Sequence, residues 1–459
     1  MLTANAVRSI NPATEEVLGE VAISTPEQIQ ESVAAARKAA PAWRALGAAG
    51  RVEVLRRLYD DFAAHREELA TLISKEMGRP IEGSRKSIDA PLATMKWNLD
   101  HAVENLAPET TFENEKQLHQ IYYEPYGVFG VIAPWNYPLS NFVMTALQPL
   151  IAGNTVVYKA SEEVPLFGKA LNEAFARAKV PAGVFGQVFG GGEVGEALVR
   201  AVDHVHFTGS TAVGQKLYKI AAERFIPITL ELGGSDAGIV FEDADIDRMI
   251  EPIFWAKFVN SGQRCCSLKR LYVHQSRYQE LVAKLSDYMR KQKIGDPLDT
   301  STKLGPMVSD KQKKLIAAQV DDAKAKGAKI LAGEDIKVPA VGAYYPPLLV
   351  ANLKPDMRAS CEELFGPVLP IIPFADEAEA VRLANASEYG LSAFVYTEDR
   401  QRYARVAAQL EAGSIAHNGV DYFQAWNPFG GYKHSGLGRS GGKAGLQSCC
   451  QIKVITTEK

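Results

Sequence analysis

The sequence predicts an α/β protein built on a doubly wound parallel sheet. Beyond Tyr122, short apolar runs alternate with amphipathic stretches, and those helices are long enough to cross over between parallel strands. With 459 residues and 46% hydrophobic content, the chain can also bury two or three cores. Before Tyr122 the pattern is helical. Over residues 26–73, Val33, Ala36, Leu55, Leu58, Phe62 and Leu69 recur at helical spacing among Ala-rich stretches, so these helices are expected to pack outside the sheet.

The elements follow in order. Residues 127–133 form an apolar strand, and the turn at 134–137 leads into a helix that Pro138 can begin, because its missing N–H would have no partner there anyway. Leu139, Phe142, Val143, Ala146, Leu147 and Leu150 fall on one face of that helix, and Gly153 suits its C-terminal cap. The cycle repeats with strand 155–159, helix 164–179, strand 187–189, a helix from Val194, strand 204–207, a helix from Thr211, and strand 226–232.

Composition narrows the functional classes. The 51 basic and 54 acidic residues leave a net charge of -3 with no basic block, which argues against nucleic acid as a partner. Residues 1–20 lack a basic-then-apolar signal pattern, and no run of about 18 apolar residues occurs, so a soluble cytoplasmic protein with no membrane partner is expected. Five cysteines, sparse and odd in number, fit free thiols in a reducing compartment. Neither Cys265-Cys266 nor Cys449-Cys450 has metal-ligand spacing, Cys361 stands alone, and no metal is expected.

Two features point to covalent thiol chemistry. Cys265 and Cys266 sit in Asn-Ser-Gly-Gln-Arg-Cys-Cys-Ser, and Glu231 lies upstream in Leu-Glu-Leu-Gly-Gly. A thiolate can attack a carbonyl carbon and hold the product as a thioester, while a nearby carboxylate activates the water that releases it. Taken singly, a cysteine is more often a small buried hydrophobe and a strand glutamate is more often exposed or paired. Ligands of such sheets bind beyond the carboxyl ends of the strands, where Lys159 and Glu162 are placed. That pair either grips a ribose diol, with the carboxylate repelling a 2′-phosphate and so favouring NAD over NADP, or is a solvated capping pair. Phe207-Thr-Gly-Ser-Thr-Ala-Val-Gly214 has the outline of a dinucleotide turn, but Thr211 replaces the middle glycine, and a plain tight turn is the alternative.

Together, Pro134-Trp-Asn136, Lys159 with Glu162, Phe207-Thr-Gly-Ser-Thr with Gly214, Leu230-Glu-Leu-Gly-Gly234, Gly262-Gln-Arg-Cys265, Glu363-Leu-Phe-Gly-Pro367 and Pro428-Phe-Gly-Gly431 resemble the aldehyde dehydrogenase superfamily, in the family's order over almost the whole chain. The resemblance implies a Rossmann-like cofactor domain over 1–106 and 126–233, a related α/β catalytic domain over 234–446, and a small β oligomerisation flap over 107–125 and 447–459. It also implies that Cys265 is the nucleophile, leaving Cys266 without an assigned role. Asn136 and the Cys265 backbone N–H would stabilise the oxyanion, where losing a donor costs about 3 kcal/mol, and Glu231 would be the water-activating base. The cofactor, NAD with NADP possible, would lie against Pro134, Trp135, Lys159, Glu162, Gly209, Ser210, Gly214 and Leu232. Glu363 would hold the nicotinamide ribose beside Phe365. One departure stands out: after Gly438-Arg439 the family usually has Glu, and this chain has Ser440.

The family's layout places Tyr137, Asn141 and Met144, at helical spacing, on the tunnel to Cys265, with Phe258, Tyr422, Phe423 and Trp426 on other walls. Those walls rank an aromatic or aliphatic aldehyde slightly ahead of a semialdehyde. Arg264, Lys269 and Arg270 compete as anchors for a distal carboxylate, as in a succinate semialdehyde-type enzyme. Strand-like alternation at 117–123 and 451–457 suits a homodimer or homotetramer. The expected reaction is hydrolytic aldehyde oxidation. A coenzyme A-acylating enzyme is the second reading, which Glu231 opposes, and a catalytically silent relative is the third.

Overall fold

The computed structural model describes residues 5–420 and 422–459. Residues 1–4 of the first expected segment thus lie outside the described residues. Strands Val128–Ile132, Thr155–Lys159, Phe185–Val188, His204–Thr208 and Ile228–Glu231 pair in parallel. Val128–Ile132 lies in the middle, with the next two strands of the chain on one side and the last two on the other. This reversal is a switch point, where a doubly wound sheet opens a crevice beyond its strand ends.

Helices cover both faces, which is why the central strands are apolar at successive positions. On one face Val128, Ile132 and Val205 pack with Val33 and Ala36 of helix Pro26–Ala45, Leu198 of Gly192–Val199 and Leu217 of Thr211–Glu223. On the other, Phe129, Val131 and Tyr158 meet Leu55, Leu58 and Phe62 of Gly47–Ala64, Ile73 of Arg66–Met77 and Leu92 of Ile81–Asn105. The helical reading of 26–73 therefore holds, and a fourth long helix extends it.

The helix beginning at Pro138 is not uniform. Pro138–Phe142 is α-helical, Val143–Leu147 forms a π turn, and Gln148–Ala152 resumes the α-helix before Gly153. The six apolar positions expected on one face are all buried, whereas Tyr137, Asn141 and Met144 are half-buried. A widened turn at this point changes the angular spacing of the side chains facing the crevice.

The second sheet runs, in spatial order, Lys329–Ala332, Leu348–Ala351, Val368–Phe374, Leu268–His274, Asp236–Val240, Ser392–Tyr396 and Ser414–His417. All its pairs are parallel except the first. Strand Gly436–Leu437, which belongs to the expected 234–446 segment, instead pairs antiparallel with Ile228–Glu231 in the first sheet. It thereby brings the Arg439-Ser440 stretch back to Glu231. The third sheet joins Glu109–Glu113, Gln117–Pro125 and Cys450–Glu458, so the two stretches expected to associate pair with each other. Ile452 and Val454 remain exposed on its outer strand. Among the described residues, no helix is long and apolar enough to cross a membrane, and no group of three His, Cys, Asp or Glu is placed to hold a metal.

Candidate active site

The crevice is built from strand ends. Lys159, Ile132, Phe207 and Leu230 occupy one register row, and Thr208 pairs with Glu231 one step further on. The chain leaving Ile132 at the switch point reaches Asn136, whose buried Nδ2 donates to the Gln263 carbonyl at 3.2 Å. An amide carries two N–H donors, so one remains to meet developing charge.

The segment before Cys265 is held in an unusual conformation. Asn260, Ser261 and Gly262 all have positive φ, at 54°, 53° and 76°. Asn260 donates to the Asn136 and Gln263 carbonyls at 3.2 and 3.3 Å, and Val308 N–H anchors Gln263 Oε1 at 2.8 Å. A Cβ at Gly262 would stand 2.2 Å from the Gly366 carbonyl oxygen, so glycine is required there. Strain stored at such a loop serves to fix the residue that follows. That residue is Gln263, with Arg264 and Cys265 next in the chain.

The two thiols are not equivalent. Cys265 is half-buried, whereas Cys266 is buried beneath Leu391 and Phe429. Arg264 Nε donates to Cys266 Sγ at 3.0 Å; the hydrogen bond with Cys265, and then the guanidinium, draw the Cys266 thiol down, while the adjoining Cys266 sulfur and burial push Cys265 up. The two groups share one proton equilibrium. Accessibility favours Cys265 as the attacking sulfur, and proximity makes Cys266 its electrostatic neighbour.

Glu231 ends its strand in a closed environment. Ser440 Oγ donates to its Oε1 at 3.0 Å, and Oε2 has no partner among the described residues. Burial pushes the carboxyl up to about 8, against the smaller lowering effects of Ser440 and Arg439. A base that titrates near neutrality is well matched to activating water.

The opposite wall carries Glu363. Its Oε1 accepts from Lys269 Nζ at 2.5 Å and from Gly234 N–H at 3.2 Å, and a Cβ at Gly233 would stand 2.3 Å from Oε2. Lys269, 1% exposed, also donates to the Cys265 carbonyl. It thus ties the Cys265 backbone to Glu363, a link the sequence reading missed. Lys269→Met should strand a largely buried carboxylate at the price of about 2–3 kcal/mol, seen as a thermal midpoint lower by roughly 5 °C.

The remaining expected residues fall as follows. Trp135 and Phe365 meet edge to face at 5.6 Å, with Pro134 beside them in the chain. Lys159 is buried, which lowers its pKa, and its Nζ lies 3.4 Å from Glu162. A Cβ on Gly209 would strike the Phe207 ring, and Gly214 lets its helix approach Leu232. Ser210 is the N-cap of the 13-residue helix Thr211–Glu223, whose first residue is the Thr211 that departs from the glycine pattern. This lysine-lined crevice with an open helix N-terminus fits a dinucleotide.

Tyr137, Asn141 and Met144 are half-buried along the crevice wall, and Met144 and Tyr422 pack against the thiol pair. Tyr422 donates to the Cys266 carbonyl at 3.3 Å and adjoins Ser392, whose hydroxyl donates to the buried Asp236. Burial pushes Asp236 up to about 7. Phe423 packs on Phe429 but is 39% exposed, and Trp426 is 59% exposed, so both sit on an open rim.

Three expectations need correction. Phe258 is 0% exposed and stacks on Phe254 at 4.8 Å, because its helix turns it into the second core rather than toward a tunnel. Lys269 is occupied by Glu363, and Arg270 is consumed by the Ser235, Leu383 and Ala384 carbonyls, so neither is free to anchor a substrate. Arg79, not singled out from the sequence, is buried with its guanidinium 4.4 Å from the centre of the Tyr137 ring. Its Gly-Arg-Pro setting gave no chemical signal.

Comparisons with known proteins agree on one family. The model of the aldehyde dehydrogenase family matches residues 2–455. A glutarate-semialdehyde dehydrogenase of Pseudomonas putida is 34% identical over 455 residues, covering 98% of this chain and 94% of the relative. The NADP(+) succinate-semialdehyde dehydrogenase of Escherichia coli is 34% identical over 453 residues, at 98% and 94% coverage. Among solved structures, betaine aldehyde dehydrogenase of Staphylococcus aureus in complex with NAD+ superposes with a TM-score of 0.94 at 32% identity, covering 100% of this chain and 92% of that one.

Proposed function

The chain belongs to the aldehyde dehydrogenase family, and from that premise we propose that it oxidises a short aldehyde bearing a distal carboxylate to the dicarboxylic acid. The observation that carries the chemistry is the convergence of the three segments that hold Asn136, Cys265 and Glu231: Asn136 bonds Gln263, the Cys265 carbonyl lies 3.0 Å from where a Gly234 Cβ would stand, and Cys266 is close enough to Glu231 to push its carboxyl up. Cys265 Sγ adds to the aldehyde carbon, and the oxygen that gains the electron pair is met by the Asn136 amide and the Cys265 N–H. NAD, when bound, supplies the hydride acceptor that makes the thioester possible. Lys159 and Glu162 suit one ribose, the Ser210 helix end the pyrophosphate, and Glu363 with Phe365 and Trp135 the nicotinamide end.

Glu231 then takes a proton from water while the water oxygen bonds the acyl carbon. The carbon–sulfur bond breaks, and Cys265 leaves as thiolate. A water-activating glutamate makes hydrolysis the favoured fate over transfer to coenzyme A.

The carboxylate preference rests on Arg264. Its Nε serves Cys266, and among the described residues no acceptor takes its two terminal nitrogens. Phe258 lies in the core while Phe423 and Trp426 lie on the rim, which weakens the case for an aromatic aldehyde. Two of the similar proteins are named as semialdehyde dehydrogenases. Succinic semialdehyde, glutaric semialdehyde, butanal and benzaldehyde, each with NAD and with NADP, test the reading by absorbance of the reduced cofactor. No turnover with any of them would sink it. Arg264→Met should lower kcat/KM for the semialdehydes by about tenfold to a hundredfold, the worth of a charged hydrogen bond, and leave butanal much less affected. Equal losses on both would remove the anchor.

A further inference from the structure

Ser440 stands where the family usually carries a glutamate, and its surroundings give the substitution a purpose. The backbone is fixed from both sides: Phe429 N–H donates to Ser440 O at 2.6 Å, and Ser440 N–H donates to Phe429 O at 2.8 Å. The side chain is buried as well. Its hydroxyl lies 3.0 Å from Glu231 Oε1 and 3.3 Å from His206 Nε2.

His206 belongs to strand His204–Thr208, which pairs directly with the strand that ends in Glu231. It is buried too, and burial pulls its pKa down to about 3, so the ring is neutral. A hydroxyl has one proton to give. If Ser440 gives it to Glu231, then its oxygen accepts from His206, and the neutral ring must carry its hydrogen on Nε2. Both bonds then point the same way, toward the carboxylate.

We propose that His206 and Ser440 form a two-member donor chain that orients the Glu231 carboxylate and favours its ionised form, making both of them positioning residues for the water-activating base. The inference rests on the reading of Glu231 as that base. A glutamate at position 440 would place a second negative charge beside the first and hold Glu231 protonated to higher pH. A hydroxyl with a neutral imidazole behind it does the opposite, because it donates without adding charge. With Oε1 held, Oε2 is the oxygen free to receive a proton from water.

The other groups acting on Glu231 are Arg439, which lowers its pKa, and Cys266, which raises it. On the neighbouring strand, Thr208 is its register partner and carries no charge. Arg439 itself is held by the Gly431 and Gly438 carbonyls rather than by the carboxylate. Ser440 is the only one of these that hydrogen-bonds the carboxylate among the described residues.

The test needs no cofactor. Cys265 is acetylated with p-nitrophenyl acetate, and loss of the acetyl group is followed by intact-protein mass spectrometry from about pH 6 to about pH 10. In Ser440→Ala the midpoint of the deacylation profile should rise by about one unit, which slows the reaction about tenfold near neutrality and lets it recover in alkali. Ser440→Thr, which keeps the hydroxyl, should restore the parent profile. His206→Leu should shift the midpoint in the same direction by less, and should add nothing in the Ser440→Ala background. A Ser440→Ala rate that falls equally at every pH would overturn the proposal, as would full additivity of the two changes. Identical deacylation in the parent and in Glu231→Gln would instead remove the role of Glu231 beneath it.

Discussion

Cys265→Ala is expected to abolish aldehyde oxidation, by about 10⁴-fold or more, the range in which losing a covalent nucleophile falls. Cys266→Ala should retain most of it. The contrast is informative because local electrostatics alone would choose the other sulfur: Arg264 donates to Cys266, not to Cys265. Cys266, however, is buried under Leu391 and Phe429, while Cys265 has surface to offer. A nucleophile must reach its carbon before its pKa matters. Removing the Cys266 sulfur also removes the largest of the influences that push the Cys265 thiol up, leaving burial, so alkylation of Cys265 by iodoacetamide should begin at lower pH in Cys266→Ala than in the parent. Full activity in Cys265→Ala with none in Cys266→Ala would reverse the assignment.

The same pair shows how far the sequence could be read. Strand–helix alternation located the central sheet, because buried parallel strands need continuous apolar runs and leave a plain record. Asn136, Glu231 and Glu363 were legible through ordered motifs, each set by a strand end or a glycine that a Cβ would spoil. Phe258 was misplaced because an aromatic residue on an amphipathic helix carries no mark of which apolar environment it faces. The π turn at Val143–Leu147 was invisible for a related reason: its residues have ordinary helical preferences, and only packing selects the wider turn. Lys269 was visible as a charge but not as a tether, since Glu363, the partner it ties to the Cys265 backbone, lies far away in the chain. Ser440 registered only as a departure. Its meaning required His206, which reaches it through the return of Gly436–Leu437 to the first sheet.

Glu231→Gln should give a single burst of reduced cofactor, stoichiometric with enzyme, followed by turnover slowed by about 10²–10⁴-fold, the contribution typical of a general base. Glutamine preserves shape and accepts the Ser440 hydroxyl, but it cannot take a proton from water, so acyl-Cys265 should accumulate and be visible by mass spectrometry. No burst would mean that Glu231 acts before the thioester forms, by accepting the thiol proton. Stability provides an independent check. Burial raises the carboxyl from 4.5 to about 8, so across that interval the folded protein binds more protons at this site than the unfolded chain does. The sign follows: this group makes the folded state progressively less stable as pH rises through the interval, and the burden is complete above it. Glutamine carries no such burden. The thermal midpoint of Glu231→Gln relative to the parent should therefore climb between about pH 5 and about pH 8 and then level off. A constant difference would show that the carboxyl titrates alike in the folded and unfolded chain, and with it that burial of Glu231 does not govern its chemistry.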